Sequence, residues 1–527
     1  MLSRGDGGKH QATSWLIAVF AAVMMACPVV LSGCRLPVGR DDRTVVVLIE
    51  SSPNNLDPRV GTDAQSERLD GLIFDALVKK DEHFAMQPWL ASSWEQPTEL
   101  QWIFHLRQGV QFQDGRPLEA ADVVWTINSM RDGTLITAKG GAFAAVRTIS
   151  ARDASTVVIE LKRADASLLF NLSDGQFGVV PRGAGREFGQ RPVGTGAFQF
   201  VQALADREVV LERAARYWAD KAGVSPRAIQ RLRFAVIPDT VTAALELKKG
   251  SADVAVNVVT LDMVKTLEAT PGLAVERGPG APVMYLNFNT AAGPLHDTRV
   301  RQAIACAMDR QAIVDALWRG HARLADTLLP PGHWAEAQGL PRCEHDVPRA
   351  IALLDAAGMK AGRDGVRLRL EMKTSTDETT RLLAVILQQQ LRAAGIVLTV
   401  RSAEFGTFYS DVTRGAFQMY ALRWIGVNED PDIFRYAFAT SQFPPQGGNR
   451  GRYSSIRLDD LLKAATETTD LAKRKDQYQE IQRLLADEVP AVPLWFPENN
   501  VVHTRRVAGV VPSVNGDFSF LRTAELQ

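Results

Sequence analysis

Eight histidines and four cysteines are the side chains of this 527-residue chain best suited to metal binding or nucleophilic chemistry, and their spacing argues against both. His10, His83, His105, His296, His321, His333, His345 and His503 are scattered, with none of the paired spacings from which a zinc site is built. No GxSxG elbow, HExxH helix, GxxxxGK[ST] phosphate loop or GxGxxG dinucleotide turn occurs. The expectation is no enzyme, no metal and no cofactor. A triad assembled by folding from distant residues is the arrangement this search leaves open, so an exported hydrolase stands as the alternative from another class.

The cysteines point instead to export. Arg4 and Lys9 precede an uncharged, mostly apolar run over 15–31 that ends in Ser32-Gly33-Cys34, the order of a secretory signal. Leu31-Ser32-Gly33-Cys34 resembles a bacterial lipobox, which implies cleavage before Cys34, acylation of its thiol and a lipid anchor in a bacterial membrane. Buried acyl chains contribute about 0.8 kcal/mol per CH2, enough to hold the body at the periplasmic or cell-surface side. The competing reading, an uncleaved anchor, is disfavoured because the run is short for a span and carries Pro28. No later segment approaches spanning length. Cys27 leaves with the signal, and Cys306 and Cys343 remain, either joined as a disulfide or as two separate buried thiols.

The elements that must position any site are those of an ordinary globular chain. Hydrophobic residues make up 46% and charged ones 23%, which excludes disorder, and 60 basic against 60 acidic side chains give no electrostatic case for nucleic acid. The length requires at least two lobes. Residues 44–49 read as a buried strand, and the Pro/Asn-rich loop 51–58 leads into a helical pattern through Leu69, Leu72, Ile73, Leu77 and Val78. Residues 102–106 and 157–161 read as strands, with turns at Asp114-Gly115 and Asp174-Gly175. Asp297 caps a helix with Val300, Ala303, Ile304, Ala307 and Met308 on one face, and a second helix ends at Gly320. Asp346 and Gly358 bracket another. An alternating strand over 366–372, a helix over 379–394 stopped by Gly395, and a strand over 397–400 give a parallel β-α-β unit. A last helix, 472–488, precedes Pro490, Pro493 and Trp495-Phe496.

Several short blocks occur in a fixed order: Asn55-Leu56-Asp57-Pro58, Gln87-Pro88-Trp89-Leu90-Ala91, Phe104-His105-Leu106-Arg107-Gln108-Gly109-Val110, Ala120-Ala121-Asp122-Val123-Val124, Val193-Gly194-Thr195-Gly196, Tyr217-Trp218, 285–289, 297–309, 350–358 and 424–431. Together they resemble the dipeptide- and oligopeptide-binding family of ABC-importer receptors, solute-binding family 5, in lipoprotein form. Most of the blocks are scaffold: Gly194 and Gly196 are expected to take backbone angles other residues avoid, and Asp122 to satisfy free N–H groups at a helix start. Glu119 stands where the family has a hydroxyl cap, which predicts a slightly different start to that helix.

The resemblance implies an α/β, two-lobed periplasmic-binding-protein-like fold with a hinge and an inserted subdomain. Lobe I is expected over 34–81, 189–280 and 495–527, the inserted subdomain over 82–188 and lobe II over 281–494, after a signal at 1–33. It implies a monomeric extracytoplasmic receptor that closes on a peptide or similar polar solute and serves peptide transport through an ABC permease and its ATPase subunits, with no nucleic acid partner. Implied ligand contacts are Thr62, Asp63 and Ala64, whose backbone would meet an extended peptide, together with Asn257, Tyr285 and Trp424. In the peptide binders an aspartate three residues after the tryptophan holds the peptide amino terminus; here that position is Val427. Either Glu429 or Asp430 takes the role, or the solute is not a free peptide but an opine, modified sugar, metal chelate or haem. Asp430 and Asp432 are alternatively caps of the helix after Pro431. Trp424→Ala is expected to weaken binding while sparing the fold.

Overall fold

The computed structural model describes residues 43–527 except 138, 176, 221–224, 226, 292 and 344; the signal and Cys34 lie outside them. Three main sheets organise the chain. A seven-stranded sheet runs in the order Leu273–Gly278, Asn499–Thr504, Val254–Val256, Thr44–Ile49, Arg231–Val236, Glu208–Arg213 and Phe198–Leu204. A six-stranded sheet runs Ala322–Leu324, Ala491–Pro497, Val283–Phe288, Met419–Trp424, Leu368–Thr374 and Ile396–Ser402. Inserted in sequence between the strands Thr44–Ile49 and Phe198–Leu204 of the first sheet lies an antiparallel four-stranded sheet of Ala91–Thr98, Gln101–Leu106, Thr156–Leu161 and Val146–Ala151.

Both large sheets are covered on two faces, which is why their central strands lack polar alternation. In Thr44–Ile49, Val45, Val47 and Ile49 join one apolar core while Val46 and Leu48 join another on the opposite side. In Val283–Phe288, Met284, Leu286 and Phe288 pack toward the helices Thr298–Ala307 and Glu378–Arg392, while Val283 and Tyr285 pack with Trp424, Phe434 and Tyr478. Strands 368–374 and 396–402 pair in parallel across the intervening helix, as the sequence pattern predicts. Cys306 and Cys343 are joined by a disulfide.

Two local expectations change. The first helix, Ala64–Ile73, stops at Phe74, whose backbone is extended (ψ 158°), and Val78 instead pairs with Pro88 in a two-stranded ribbon. Leu69, Leu72 and Ile73 pack on the seven-stranded sheet, whereas Leu77 and Val78 belong to the core of the four-stranded one, so the apolar run spans two layers. Gly194 and Gly196 do not have positive φ; a Cβ there would sit 2.0 Å from the Ile73 carbonyl oxygen and 2.5 Å from that of Leu72. Glycine is needed for close approach, not for turn angle. The helix Ala120–Arg131 starts at Glu119, and Asp122 organises the start as expected, accepting from the Glu119 and Arg182 N–H groups at 2.8 Å each.

The two large sheets are linked by two crossovers lying side by side, near residues 279–282 and 497–499. A Cβ on Gly280 would stand 2.1 Å from the Pro497 carbonyl oxygen. Asn499 Nδ2 donates to the Ser513 and Val514 carbonyls at 2.8 and 2.9 Å, and Ala281 N donates to Val514 O at 2.8 Å. This hinge sits at the base of the cleft between the sheets.

Candidate functional cleft

The helix Ala64–Ile73 sets one wall of the cleft. Asp63 is its N-cap: Oδ1 accepts from Ser66 N at 3.0 Å, and Oδ2 from Ser66 Oγ at 2.5 Å and Asn54 N at 3.2 Å. Its carboxylate is thus engaged, while Thr62 and Ala64 on either side are exposed. One helical turn on, Glu67, Arg68 and Gly71 line a cavity of about 120 Å³ together with Ala64. The opposite wall is Ile425, Gly426 and Glu429, and the crossover residues Ala281 and Pro282 contribute to its lining, as do Lys80, Asp174, Asp517 and Arg522. Both sheets' elements therefore converge on one space.

Glu67 is the carboxyl group that the helix brings to the cavity. Burial pushes the Glu67 carboxyl up to about 7 against the pull of Lys139, whose Nζ is 4.0 Å away. Deeper in the helix, Asp70 is buried with neither carboxylate oxygen hydrogen-bonded to protein, and burial drives it well above the carboxylate range. Neither residue was singled out from sequence. Their spacing of three on an otherwise recognisable helix was the available signal.

On the facing loop, Glu429 Oε2 meets Lys80 Nζ at 2.5 Å, with side chains only 4% and 5% exposed. Burial works to lower Lys80, but the Glu429 and Asp174 carboxylates outweigh it and hold the ammonium above its ordinary value. Burial keeps Glu429 above the ordinary carboxylate value despite Lys80. Asp430 is engaged too: Oδ1 accepts from Asp432 N at 2.7 Å, Ser167 Oγ at 3.2 Å and Arg474 Nη2 at 3.5 Å. Asp432 makes no capping bond, and its carboxylate grips Arg435 at 2.5 to 3.1 Å. Asn428 Nδ2 ties the loop to the crossover through Ala281 O at 2.7 Å. Val427 opens the short 3-10 turn Val427–Glu429, and its side chain lies outside what is described.

The aromatic residues expected at the cleft lie behind it. Trp424 is 6% exposed and Tyr285 1%, and their rings stack at 5.3 Å with 8° between planes. Antiparallel register brings them together, because Val283 is opposite Trp424 and Tyr285 follows two residues on, on the same face. Arg450 covers the Trp424 ring at 4.8 Å and donates to the Tyr285 hydroxyl at 3.1 Å. The side chain that this loop presents outward is Ile425, 62% exposed. Asn257, with φ 58°, donates from Nδ2 to Asn499 Oδ1 at 2.9 Å and accepts from Asn500 N at 2.8 Å, so it braces the hinge.

Beyond Lys80 and Glu429 a wider cleft of about 840 Å³ opens between segments 141–171 and 430–467. Its walls touch directly, Ala166 N donating to Thr466 O at 3.3 Å, and outside this cleft Trp334 N donates to His83 O at 3.1 Å. His333 stacks on Phe84 at 5.3 Å and donates from Nε2 to Glu429 O at 3.1 Å while Nδ1 accepts from Ala335 N at 3.0 Å. Another cavity, of about 230 Å³ beside the disulfide, is lined only by residues within 302–493 and is not formed between the sheets. Among the described residues no group of three His, Cys, Asp or Glu side chains is placed to hold a metal ion, and no helix is long and apolar enough to cross a membrane.

The profile of the bacterial extracellular solute-binding proteins, family 5 (middle region), matches residues 85–444. The chain is 26% identical over 495 residues to di/tripeptide-binding protein 1 of Pseudomonas aeruginosa, covering 87% of this chain and 91% of that one. It is likewise 26% identical over 476 residues to heme-binding protein A of Haemophilus influenzae, covering 85% and 86%. Among solved structures, NikZ from Campylobacter jejuni in complex with Ni(L-His) superposes with a TM-score of 0.75 at 25% identity, over 92% of this chain and 99% of that one.

Proposed function

Because the chain belongs to the bacterial extracellular solute-binding proteins of family 5, the binding components of ABC importers, we propose that it captures short peptides or polar solutes of similar size and delivers them to a membrane permease and its ATPase subunits. The carrying observation is the convergence of the Ala64–Ile73 helix, the hinge and the loop after Trp424 on one cavity, beside which, from Asp430 on, the same loop lines an 840 Å³ cleft. That volume lies within the roughly 300–1,000 Å³ of small-molecule sites. Lobe I (34–81, 189–280, 495–527) with its inserted subdomain (82–188) rotates against lobe II (281–494) about the paired crossovers, and solute favours the closed form only through better contacts there. Backbone groups near Thr62 and Ala64 are the peptide-facing candidates from lobe I. Asp63, Asn257, Tyr285 and Trp424 shape the site from behind as cap, hinge brace and stacked support.

A second reading keeps the receptor and changes the solute to a metal chelate, haem or another non-peptide compound. It is favoured by Glu429 and Asp430, the two acids at the loop, both being paired with protein cations. The heme and nickel–histidine relatives support it as well. In either case Cys34 carries the lipid that keeps a monomeric receptor at the outer face of the membrane. The test is to express residues 35–527 and identify retained solute by native mass spectrometry followed by denaturing release. Released peptides support the first reading and a single chelate or haem the second. A protein that retains nothing, and whose melting temperature no peptide or chelate panel raises, refutes both.

A further inference from the structure

Lys80 and Glu429 come from opposite sides of the cleft, 349 residues apart in sequence, and meet at 2.5 Å with almost no exposure. Lys80 ends the ribbon strand Val78–Lys80, where its own N–H donates to Asp174 Oδ1 at 2.9 Å and its ammonium lies 5.2 Å over the Phe170 ring. Glu429 ends the 3-10 turn after Trp424, which Asn428 fastens to the hinge. Both side chains line the inner cavity, and Phe170 lines the wider cleft beyond. The pair therefore stands where the two spaces meet.

Such a contact has two distinct states. With the lobes apart each group is hydrated; with them together, each needs the other, because a buried charge that loses its partner is strongly disfavoured. Asp430, the neighbouring acid, already serves Arg474 and Ser167. An ammonium group arriving at this loop would have to displace Lys80. We propose that Lys80 is a built-in cation that closes the cleft on Glu429, so that the receptor selects solutes bringing no ammonium group to the Trp424 loop. The inference rests on the cleft being the solute site, and it narrows the solute class to molecules neutral or anionic at this end, such as amino-blocked peptides.

The experiment uses the chain from residue 35, with spin labels at Leu204→Cys and Val385→Cys, exposed positions on the seven-stranded sheet and on the helix Glu378–Arg392. Without solute, the distance distribution of the parent is expected to be mainly closed. Lys80→Met and Glu429→Gln should each raise the open-to-closed ratio at least tenfold, and Lys80→Arg should restore it. A parent that is open without solute, or variants with unchanged distributions, would overturn the proposal. In a second arm, calorimetry compares alanyl-alanine with N-acetyl-alanyl-alanine. The parent should show no preference for the free amine, and Lys80→Met should shift the affinity ratio toward it at least tenfold; a parent preferring the free amine tenfold also overturns the proposal. If neither probe binds any variant while the label distances still respond, the Lys80 contact stands and the peptide-like solute falls.

Discussion

Trp424→Ala should unfold lobe II more readily by about 4 kcal/mol, within the roughly 3–5 kcal/mol typical of removing a buried Trp. The number follows from what the ring touches. One face lies on Tyr285 at 5.3 Å, Arg450 stands over the ring at 4.8 Å, and Tyr436 meets it edge-on at 5.9 Å. A Cβ on Gly448 would fall 2.9 Å from the tryptophan ring, so the backbone is close-packed there and cannot be expected to relax fully into the void. Stacking of the kind made with Tyr285 contributes about 0.5–1.5 kcal/mol beyond area burial. Burial thus revises the expectation that the substitution spares the fold. Urea unfolding followed by far-UV circular dichroism is the assay, fitted as two transitions because the sheets have separate cores. The lobe II transition should move and the other stay. Trp424→Phe, which keeps a stacking ring, should lose less than half as much. A loss below about 1 kcal/mol for Trp424→Ala would refute the argument that this ring supports the loop from within lobe II.

Acid should also loosen the protein at His333, which burial holds at about 3 against an ordinary 6.5. A depressed histidine contributes its full stability above 6.5 and loses it as the pH falls toward 3, at roughly 1.4 kcal/mol per pH unit over that window; His333→Gln should flatten this slope in an acid titration of the unfolding midpoint. Gly194→Ala should cost about 2 kcal/mol or more, because the new methyl group collides with the Ile73 carbonyl. Gly185→Ala, with nothing within 4 Å of its Cβ, should change the melting temperature little and serves as the control.

The scaffold was largely legible before the structure because it is written in local patterns. The caps Asp297 and Asp346, the stop at Gly395 and the alternation at Leu368, Leu370 and Met372 depend on neighbours a few residues away. The cleft was less legible because its partners are distant in sequence. Nothing around Lys80 announces Glu429, and nothing around Asn257 announces Asn499 and Asn500. Trp424 and Tyr285 were each read as ligand contacts, and sequence gives no sign that they stack on one another on a covered face of their sheet. The helix break at Phe74 was missed for a similar reason: Leu77 and Val78 continue the apolar spacing while belonging to another layer.

The seven-stranded sheet places Asn499–Thr504 between Val254–Val256 and Leu273–Gly278, with antiparallel pairing on both sides. A nascent chain therefore cannot complete this sheet until its last few dozen residues exist, and the strand Leu273–Gly278 has no hydrogen-bonded neighbour in the sheet before then. Truncations near the C-terminus should cripple the N-terminal half, and a chain threaded through a membrane from its N-terminus would keep that half unfinished until translocation is nearly over. The sheet order acts as a timer on assembly, tying completion of the first lobe to arrival of the tail.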